Sequence, residues 1–284
     1  MLAVHGHEHG PDEALRYLRQ RGYVVLPLNN QERHILSAAH ESAEQWLSNP
    51  TADRDSLIYR GCPRHPVHDR IALHGLGYVF QSGYADRKQL HWIAAARDVM
   101  PWPCPTPTTE GGRGEGEGEA AHLQKTFEAG AAVLSGLCQK LLEQIDPNAV
   151  SEWKQQILAD GDPSVCDAFL YPGRDDEKSL LSDKREAMCS HLDPGWFTVK
   201  QGSLDGGLEL FDPTSEEWVN VESAAFFREL GVDPESVAIC FAGERLMSWT
   251  EENDLESIPA VHHRALTCPN DRISFIFELR DHVC

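Results

Sequence analysis

The 284-residue sequence lacks several features that would assign it to a special class of protein. It has no apolar run near the ~20 residues that a membrane-spanning helix needs, and its polar start, residues 1–13, does not resemble a signal peptide. Its eight cysteines are scattered, without a C-x-x-C pair or a short disulfide framework. These absences predict a cytoplasmic protein with free thiols and no membrane partner.

Basic residues are also scarce, with 25 Lys and Arg against 45 Asp and Glu, which gives a formal net charge of −20. Binding to a phosphate backbone depends on Lys and Arg displacing counterions, so we expect no nucleic-acid partner. The hydrophobic content of 41% is ordinary for a globular protein. A chain of this length can form one large domain with a sizeable core, and we expect a single domain, 1–284, that acts as a monomer.

A short stretch after position 188 carries the pattern H-x-D, formed by His191 and Asp193. Residues two apart in an extended strand point to the same face, so this imidazole and this carboxylate can reach one metal ion. Pro194-Gly195 then turns the chain into a further predicted strand. Two ligands make only a weak site, and a third ligand must come from elsewhere in the chain.

The candidate for the third ligand is the pair His262-His263 near the C-terminus. In a strand only one of these two side chains faces inward, and spacing alone leaves open which one. Two imidazoles and one carboxylate, with coordination positions left over, form the facial triad of non-haem Fe(II) oxygenases.

A second pattern, R-x-S, follows at Arg272 and Ser274. It again has the spacing of one strand face, with Ile273, Phe275 and Phe277 on the opposite, apolar face. A guanidinium grips a carboxylate through two hydrogen bonds, and a hydroxyl adds another. The sequence therefore predicts a carboxylate-binding site beside the metal.

The chain carries H-x-D, then H-R (His263-Arg264), then R-x-S. In this order the three motifs resemble those of the isopenicillin-N-synthase-like family of Fe(II)/2-oxoglutarate dioxygenases, and the resemblance covers about 169–278. The register of H-R within this pattern identifies His263, not His262, as the ligand. The Tyr-Pro strand of the family matches Tyr171, which the resemblance adds to the clamp of Arg272 and Ser274. Smaller likenesses are Asp205–Leu208, Glu217–Val221 and Gly243-Glu244.

The resemblance implies that His191, Asp193 and His263 bind Fe(II), while Arg272, Ser274 and Tyr171 hold the cosubstrate 2-oxoglutarate. With O2, such an enzyme converts 2-oxoglutarate to succinate and CO2 and oxidises a C–H bond of a small molecule. Hydroxylation, desaturation and cyclisation share this site and stay open. The acidic chain adds amino-acid-like and cationic molecules to the candidate substrates.

Three alternatives also stay open. Some members of the family use no 2-oxoglutarate, and their Arg and Ser bind the carboxylate of the substrate instead. A protein hydroxylase has the same metal site but needs a peptide groove. A jelly-roll binding protein without catalysis has the fold alone, and an intact triad argues against it.

The periodicity of the chain predicts a mostly β protein with flanking helices. We expect a double-stranded β-helix (jelly-roll) core, 165–284, braced by N-terminal and central helices in a mainly helical part, 1–164. Residues 51–80 are read as loop, and a Gly- and Glu-rich flexible loop is expected at 101–120. Predicted helices are 11–21, 30–47, 86–97, 120–145, 149–159 and 223–230. Predicted strands are 23–28, 165–171, 188–193, 196–201, 207–211, 218–221, 237–242, 245–249, 260–266 and 272–279.

Overall fold

The computed structural model describes residues 11–48, 58–59, 76–81, 87–94, 115–173 and 186–281. The helices are α1 (Pro11–Arg21), α2 (Asn30–Ser48), α3 (Glu115–Ile145), α4 (Pro147–Asp160), α5 (Ala224–Leu230) and α6 (Glu244–Glu252). The first six strands are β1 (Tyr23–Pro27), β2 (Ile58–Tyr59), β3 (Leu76–Gln81), β4 (Arg87–Ile93), β5 (Val165–Tyr171) and β6 (Glu186–His191). The others are β7 (Phe197–Gln201), β8 (Leu208–Asp212), β9 (Glu217–Asn220), β10 (Val237–Ala242), β11 (His263–Leu266) and β12 (Arg272–Leu279).

The strands form two antiparallel sheets that pack face to face. One sheet has eight strands in the order β1-β10-β7-β12-β5-β4-β3-β2, and the other has four in the order β6-β11-β8-β9. Buried side chains of both sheets meet between them, including Ile239 and Phe241 from the first and Leu208 and Leu210 from the second. The predicted jelly-roll core is confirmed, and its interior is where side chains of both sheets converge.

Helices α2 and α3 cover the outer face of the eight-stranded sheet. Alternate residues of β12, including Phe275, are buried in a cluster with Leu36 of α2 and Phe127 of α3. The rings of Phe127 and Phe275 meet edge to face, with centroids 4.9 Å apart. Because side chains of a strand alternate, the polar residues Arg272 and Ser274 face the sheet interior.

Local signals account for several helix starts. Asn29 caps α2, since its Oδ1 accepts the N–H of Glu32 at 2.9 Å while Glu32 Oε2 accepts the N–H of Asn29 at 2.9 Å. Asp146 caps α4 by accepting the N–H of Asn148 at 2.9 Å, and Pro147 follows at the first helical position.

Two predicted elements are of the wrong type. Residues 245–249 lie in the helix α6, where Arg245, Leu246 and Trp249 are buried at helical spacing, so α5 is not the sole helix among the later strands. Residues 87–93, predicted as part of a helix, form the strand β4 between β3 and β5. Pairing with two neighbouring strands outweighs the helical pattern there.

The N-terminal part contributes strands as well as helices. β1 pairs with β10, and β2 and all of β3 except Gln81 lie in the range 51–80 that was predicted as loop. Residues 115–120 begin α3, whereas the predicted flexible loop extended to 120; residues 101–114 lie outside the described residues. Within the described part of the chain, no helix has the length and apolar character needed to cross a membrane.

Candidate functional site

The two histidines of the predicted triad are direct partners across two strands. His191 ends β6 and pairs with His263, the first residue of β11, and their ring centroids lie 4.2 Å apart. The carboxylate of Asp193 lies between them, with Oδ1 3.5 Å from His191 Nε2 and Oδ2 3.6 Å from His263 Nε2. The three ligand atoms lie within 4.8 Å of one another, so one metal ion can contact all of them.

Both imidazoles are oriented by backbone carbonyls. Nδ1 of His191 lies 2.9 Å from the carbonyl oxygen of Cys189, and Nδ1 of His263 lies 3.3 Å from that of Val261. A proton on Nδ1 satisfies each carbonyl and leaves the Nε2 lone pair for a metal. His263 is buried, whereas His262 is exposed.

Asp193 lies just beyond the end of β6, in a turn that is held from two sides. The N–H of Glu244, at the start of α6, donates to the carbonyl oxygen of Asp193 at 2.9 Å. From β12, Glu278 Oε1 accepts the N–H of Gly195 at 2.9 Å. An added Cβ at Gly243 would collide with the carbonyl oxygen of Gly195, so the helix approaches this closely only with glycine there.

The hydroxyl of Thr198 fixes the carboxylate itself, because it donates a hydrogen bond to Asp193 Oδ2. Burial opposes ionisation of Asp193, but both imidazoles and this hydroxyl outweigh it and lower the pKa of the carboxyl. The hydrogen bond to Asp193 raises the pKa of His191, whereas burial lowers the pKa of His263. An ionised carboxylate between two imidazole Nε2 atoms suits a divalent cation.

The predicted clamp residues come together on two neighbouring strands. Arg272 of β12 pairs with Tyr171 of β5, and its guanidinium carbon lies 4.9 Å from the centroid of the Tyr171 ring. Ser274 is the next inward residue on β12. All three line one cavity between the sheets, and His263 lines the same cavity. The cavity therefore connects the triad to the clamp.

One edge of the Arg272 guanidinium is held by the protein and the other is open. Nε and Nη2 each lie 3.1 Å from Oε2 of Glu222. Nη1 is buried and has no protein partner. A buried donor without a partner costs free energy, so a ligand carboxylate at this edge fits the arrangement.

Three polar residues of the site were missed at the level of sequence: Thr198, Lys200 and Glu222. Lys200 is the next inward residue after Thr198 on β7, and its ammonium contacts the Glu222 carboxylate. Burial, and then the charge of Arg272, lower the pKa of Lys200 to about 7. A Lys inside a predicted strand was the available signal for this residue, whereas Glu222 gives no local signal.

The chain matches no family model, and no curated protein matches its sequence. Solved structures are similar to it in fold. A Neurospora crassa protein in complex with alpha-KG and 5-formyluracil superposes with a TM-score of 0.68 at 13% identity, over 99% of this chain and 84% of that one. Dioxygenase for auxin oxidation 1 from Arabidopsis thaliana, in its 2-oxoglutarate complex, gives 0.66 at 15% identity, over 99% and 93%.

A third match is a Caulobacter crescentus protein described as a member of the 2OG-Fe(II) oxygenase family. It has a TM-score of 0.61 and 17% identity, over 95% of this chain and 81% of that one. At these identities the likeness concerns the fold. The chain thus shares its fold with structural neighbours that belong to the 2OG-Fe(II) oxygenases.

Proposed function

We propose that the protein is an Fe(II)- and 2-oxoglutarate-dependent oxygenase of the isopenicillin-N-synthase-like type, acting on a C–H bond of a small molecule. The observation that carries this proposal is that one cavity is lined both by His263 of the triad and by Arg272, whose buried Nη1 has no protein partner. A metal ligand lies at one end of the cavity and a carboxylate-binding residue at the other. This arrangement suits a short dicarboxylate that chelates the metal with one end and binds Arg272 with the other.

The donor set fits Fe(II). His191, Asp193 and His263 would hold the ion through two imidazole nitrogens and one carboxylate oxygen, leaving coordination positions open. Thr198 and the backbone carbonyls keep these donors in place. When bound, iron, 2-oxoglutarate and O2 supply the oxidising chemistry, which releases CO2 and succinate.

The clamp fits the far end of 2-oxoglutarate. The open Nη1 edge of Arg272 would bind the distal carboxylate, and the Ser274 hydroxyl would add a hydrogen bond. The Tyr171 ring lies against the guanidinium and supports it from one side. The neighbours solved with alpha-KG or 2-oxoglutarate support this choice of cosubstrate.

A small, polar substrate is supported by the inward row of β12 beyond Ile276. That row continues with Glu278 and reaches Arg280, whose Nη2 pairs with Glu278 while Nε and Nη1 have no protein partner. The unpartnered donors of Arg280 favour a substrate that carries a carboxylate, as an amino-acid-like molecule does. The neighbours that bind 5-formyluracil or oxidise auxin are consistent with a small molecule.

The test is a titration of the Fe(II)-loaded protein with 2-oxoglutarate in the absence of O2, followed by admission of O2 and measurement of succinate. We expect saturable binding, slow succinate release, and loss of both in Arg272→Met. Turnover of a substrate with iron and O2 but without consumption of 2-oxoglutarate would establish the alternative oxidase function. Absence of Fe(II) binding would leave a jelly-roll binding protein.

A further inference from the structure

The cavity contains a second buried cation that faces the clamp. Lys200 of β7 stands opposite Ile276 of β12 and is 3% exposed. It lines the same cavity as Arg272, Ser274 and His263. An unneutralised ammonium is costly to bury, so its surroundings must explain its presence.

Part of the explanation is Glu222, which is fully buried and binds both cations. Its Oε1 contacts Lys200 and accepts the Ser203 hydroxyl at 3.1 Å. Its Oε2 accepts Arg272 Nε at 3.1 Å and the N–H groups of Gly207 and Leu208 at 2.9 and 2.7 Å. With this many donors the carboxylate is fully satisfied and fixed.

The charges of this group do not balance. A protonated Lys200 and Arg272 carry two positive charges, and Glu222 cancels only one of them. Open donors remain on both cations: Nη1 of Arg272 has no partner, and the ammonium of Lys200 contacts Glu222 and Ser203, leaving its third N–H. One ligand carboxylate would restore neutrality and occupy both donors.

We infer that Lys200 binds the distal carboxylate of 2-oxoglutarate together with Arg272, and that Glu222 is the positioning residue that aims both cations at it. This inference rests on the proposed function, because it takes 2-oxoglutarate as the ligand of the cavity. Two cations on one carboxylate make the protein selective for a 2-oxo diacid over a 2-oxo monoacid of the same length.

The decisive variant is Lys200→Met, which keeps the apolar length of the side chain and removes the charge. Binding of 2-oxoglutarate and of 2-oxopentanoate, which lacks the distal carboxylate, is measured by calorimetry on the Fe(II) protein without O2. We expect 2-oxoglutarate to bind at least tenfold more weakly, since a charge-assisted hydrogen bond is lost, and 2-oxopentanoate to bind within about twofold of wild type. Lys140→Met, on an exposed side chain, is the matched control.

A merely structural role for Lys200 would weaken both oxo acids together, and that result would overturn the inference. The double variant Lys200→Met/Glu222→Gln keeps the wild-type net charge of the group and avoids an unpaired carboxylate. It should still bind 2-oxoglutarate at least tenfold more weakly than wild type. Recovery of wild-type affinity would show that the net charge of the group determines the affinity and that Lys200 itself does not contact the ligand.

The inference and the proposed function fail in different ways. If wild type binds 2-oxoglutarate and Lys200→Met binds it equally well, the role of Lys200 is wrong and the oxygenase proposal stands. If the Fe(II)-loaded wild type binds no 2-oxoglutarate, both are wrong. Lys200→Arg, which restores a cation, should recover part of the lost affinity.

Discussion

His191 and His263 stand directly opposite each other in an antiparallel strand pair, with their ring centroids 4.2 Å apart. They are separated by 71 intervening positions in the chain, so only the pairing of β6 with β11 brings them together. Each ring is oriented by the backbone carbonyl two residues before it, which directs both Nε2 atoms toward Asp193. The pairing of these strands thus builds the candidate metal site.

Replacing either histidine by Ala should remove this site without unfolding the protein. We expect Fe(II) affinity to fall at least about 100-fold in His191→Ala and His263→Ala, because even loss of an outer partner costs 10–100-fold. Metal content after dialysis and circular dichroism are the measurements. His262→Ala changes the exposed neighbour and is the control; loss of iron there with retention in His263→Ala would reverse the ligand assignment.

The ring of Tyr171, more than its hydroxyl, is expected to support Arg272. The aromatic face contacts the guanidinium, and such a contact is worth about 0.5–2 kcal/mol. Tyr171→Phe should therefore bind 2-oxoglutarate within about threefold of wild type, whereas Tyr171→Ala should bind it about tenfold more weakly. Equal losses in both variants would assign the role to the hydroxyl.

Gly207 leaves room for the clamp. An added Cβ there would lie 2.7 Å from Arg272 Nε, so Gly207→Ala must push the guanidinium away from Glu222. We expect a loss of about 1–3 kcal/mol in the free energy of unfolding, together with weaker binding of 2-oxoglutarate. Gly136→Ala, in α3, meets nothing within 4 Å and should instead stabilise the protein by about 1 kcal/mol. Chemical denaturation of both variants tests this contrast.

The affinity for 2-oxoglutarate should decrease as the pH rises above 7. The pKa of Lys200 is lowered to about 7, so the free protein loses the ammonium above this pH, whereas a bound carboxylate favours it. The affinity should fall by up to about tenfold per pH unit until the pKa of the bound state is reached. Calorimetry between pH 6.5 and 8.5, in buffers of different ionisation enthalpy, measures the affinity and the proton uptake.

Other charged groups near Lys200 bear on this prediction. Glu222 favours its protonated form by direct contact, Asp205 also favours it, and Arg272 disfavours it. Burial lowers the pKa of His40 on α2, so this side chain is neutral above pH 7. Lys200→Met should lose the pH dependence, and a slope that persists in this variant would assign the titration to another group.

The elements that carry the triad could be predicted from sequence because their signals are local. H-x-D and R-x-S each lie within a few residues of one strand end, and alternation fixes which side chains share a face. The helix α6 was misread as a strand because Arg245–Trp249 is a short run with apolar Leu246, Met247 and Trp249, and periodicity alone does not separate a strand from a helix over so few residues. Its role, holding the carbonyl of Asp193, depends on packing that no local pattern contains.

The charged group behind the clamp could not be predicted for a similar reason. Lys200 lies on an inner strand of the eight-stranded sheet, whereas Glu222 follows β9, the edge strand of the other sheet, so their contact arises only when β7 and the segment after β9 pack together. In sequence, Glu222 after Val221 is indistinguishable from a Glu in an exposed turn. Its partners, not its neighbours in the chain, explain it.

The two ends of the cavity belong to different sheets. His191 and His263 lie on the four-stranded sheet, whereas Arg272 and Lys200 lie on the eight-stranded one, and Phe241 of the latter contacts the His263 ring at 4.7 Å between centroids. Under the proposed function, the distance between the sheets would therefore set the length of oxo acid that reaches both ends of the cavity. A change in the size of Phe241 would then alter the preferred chain length of the diacid without replacing Arg272, Lys200 or a ligand of the metal.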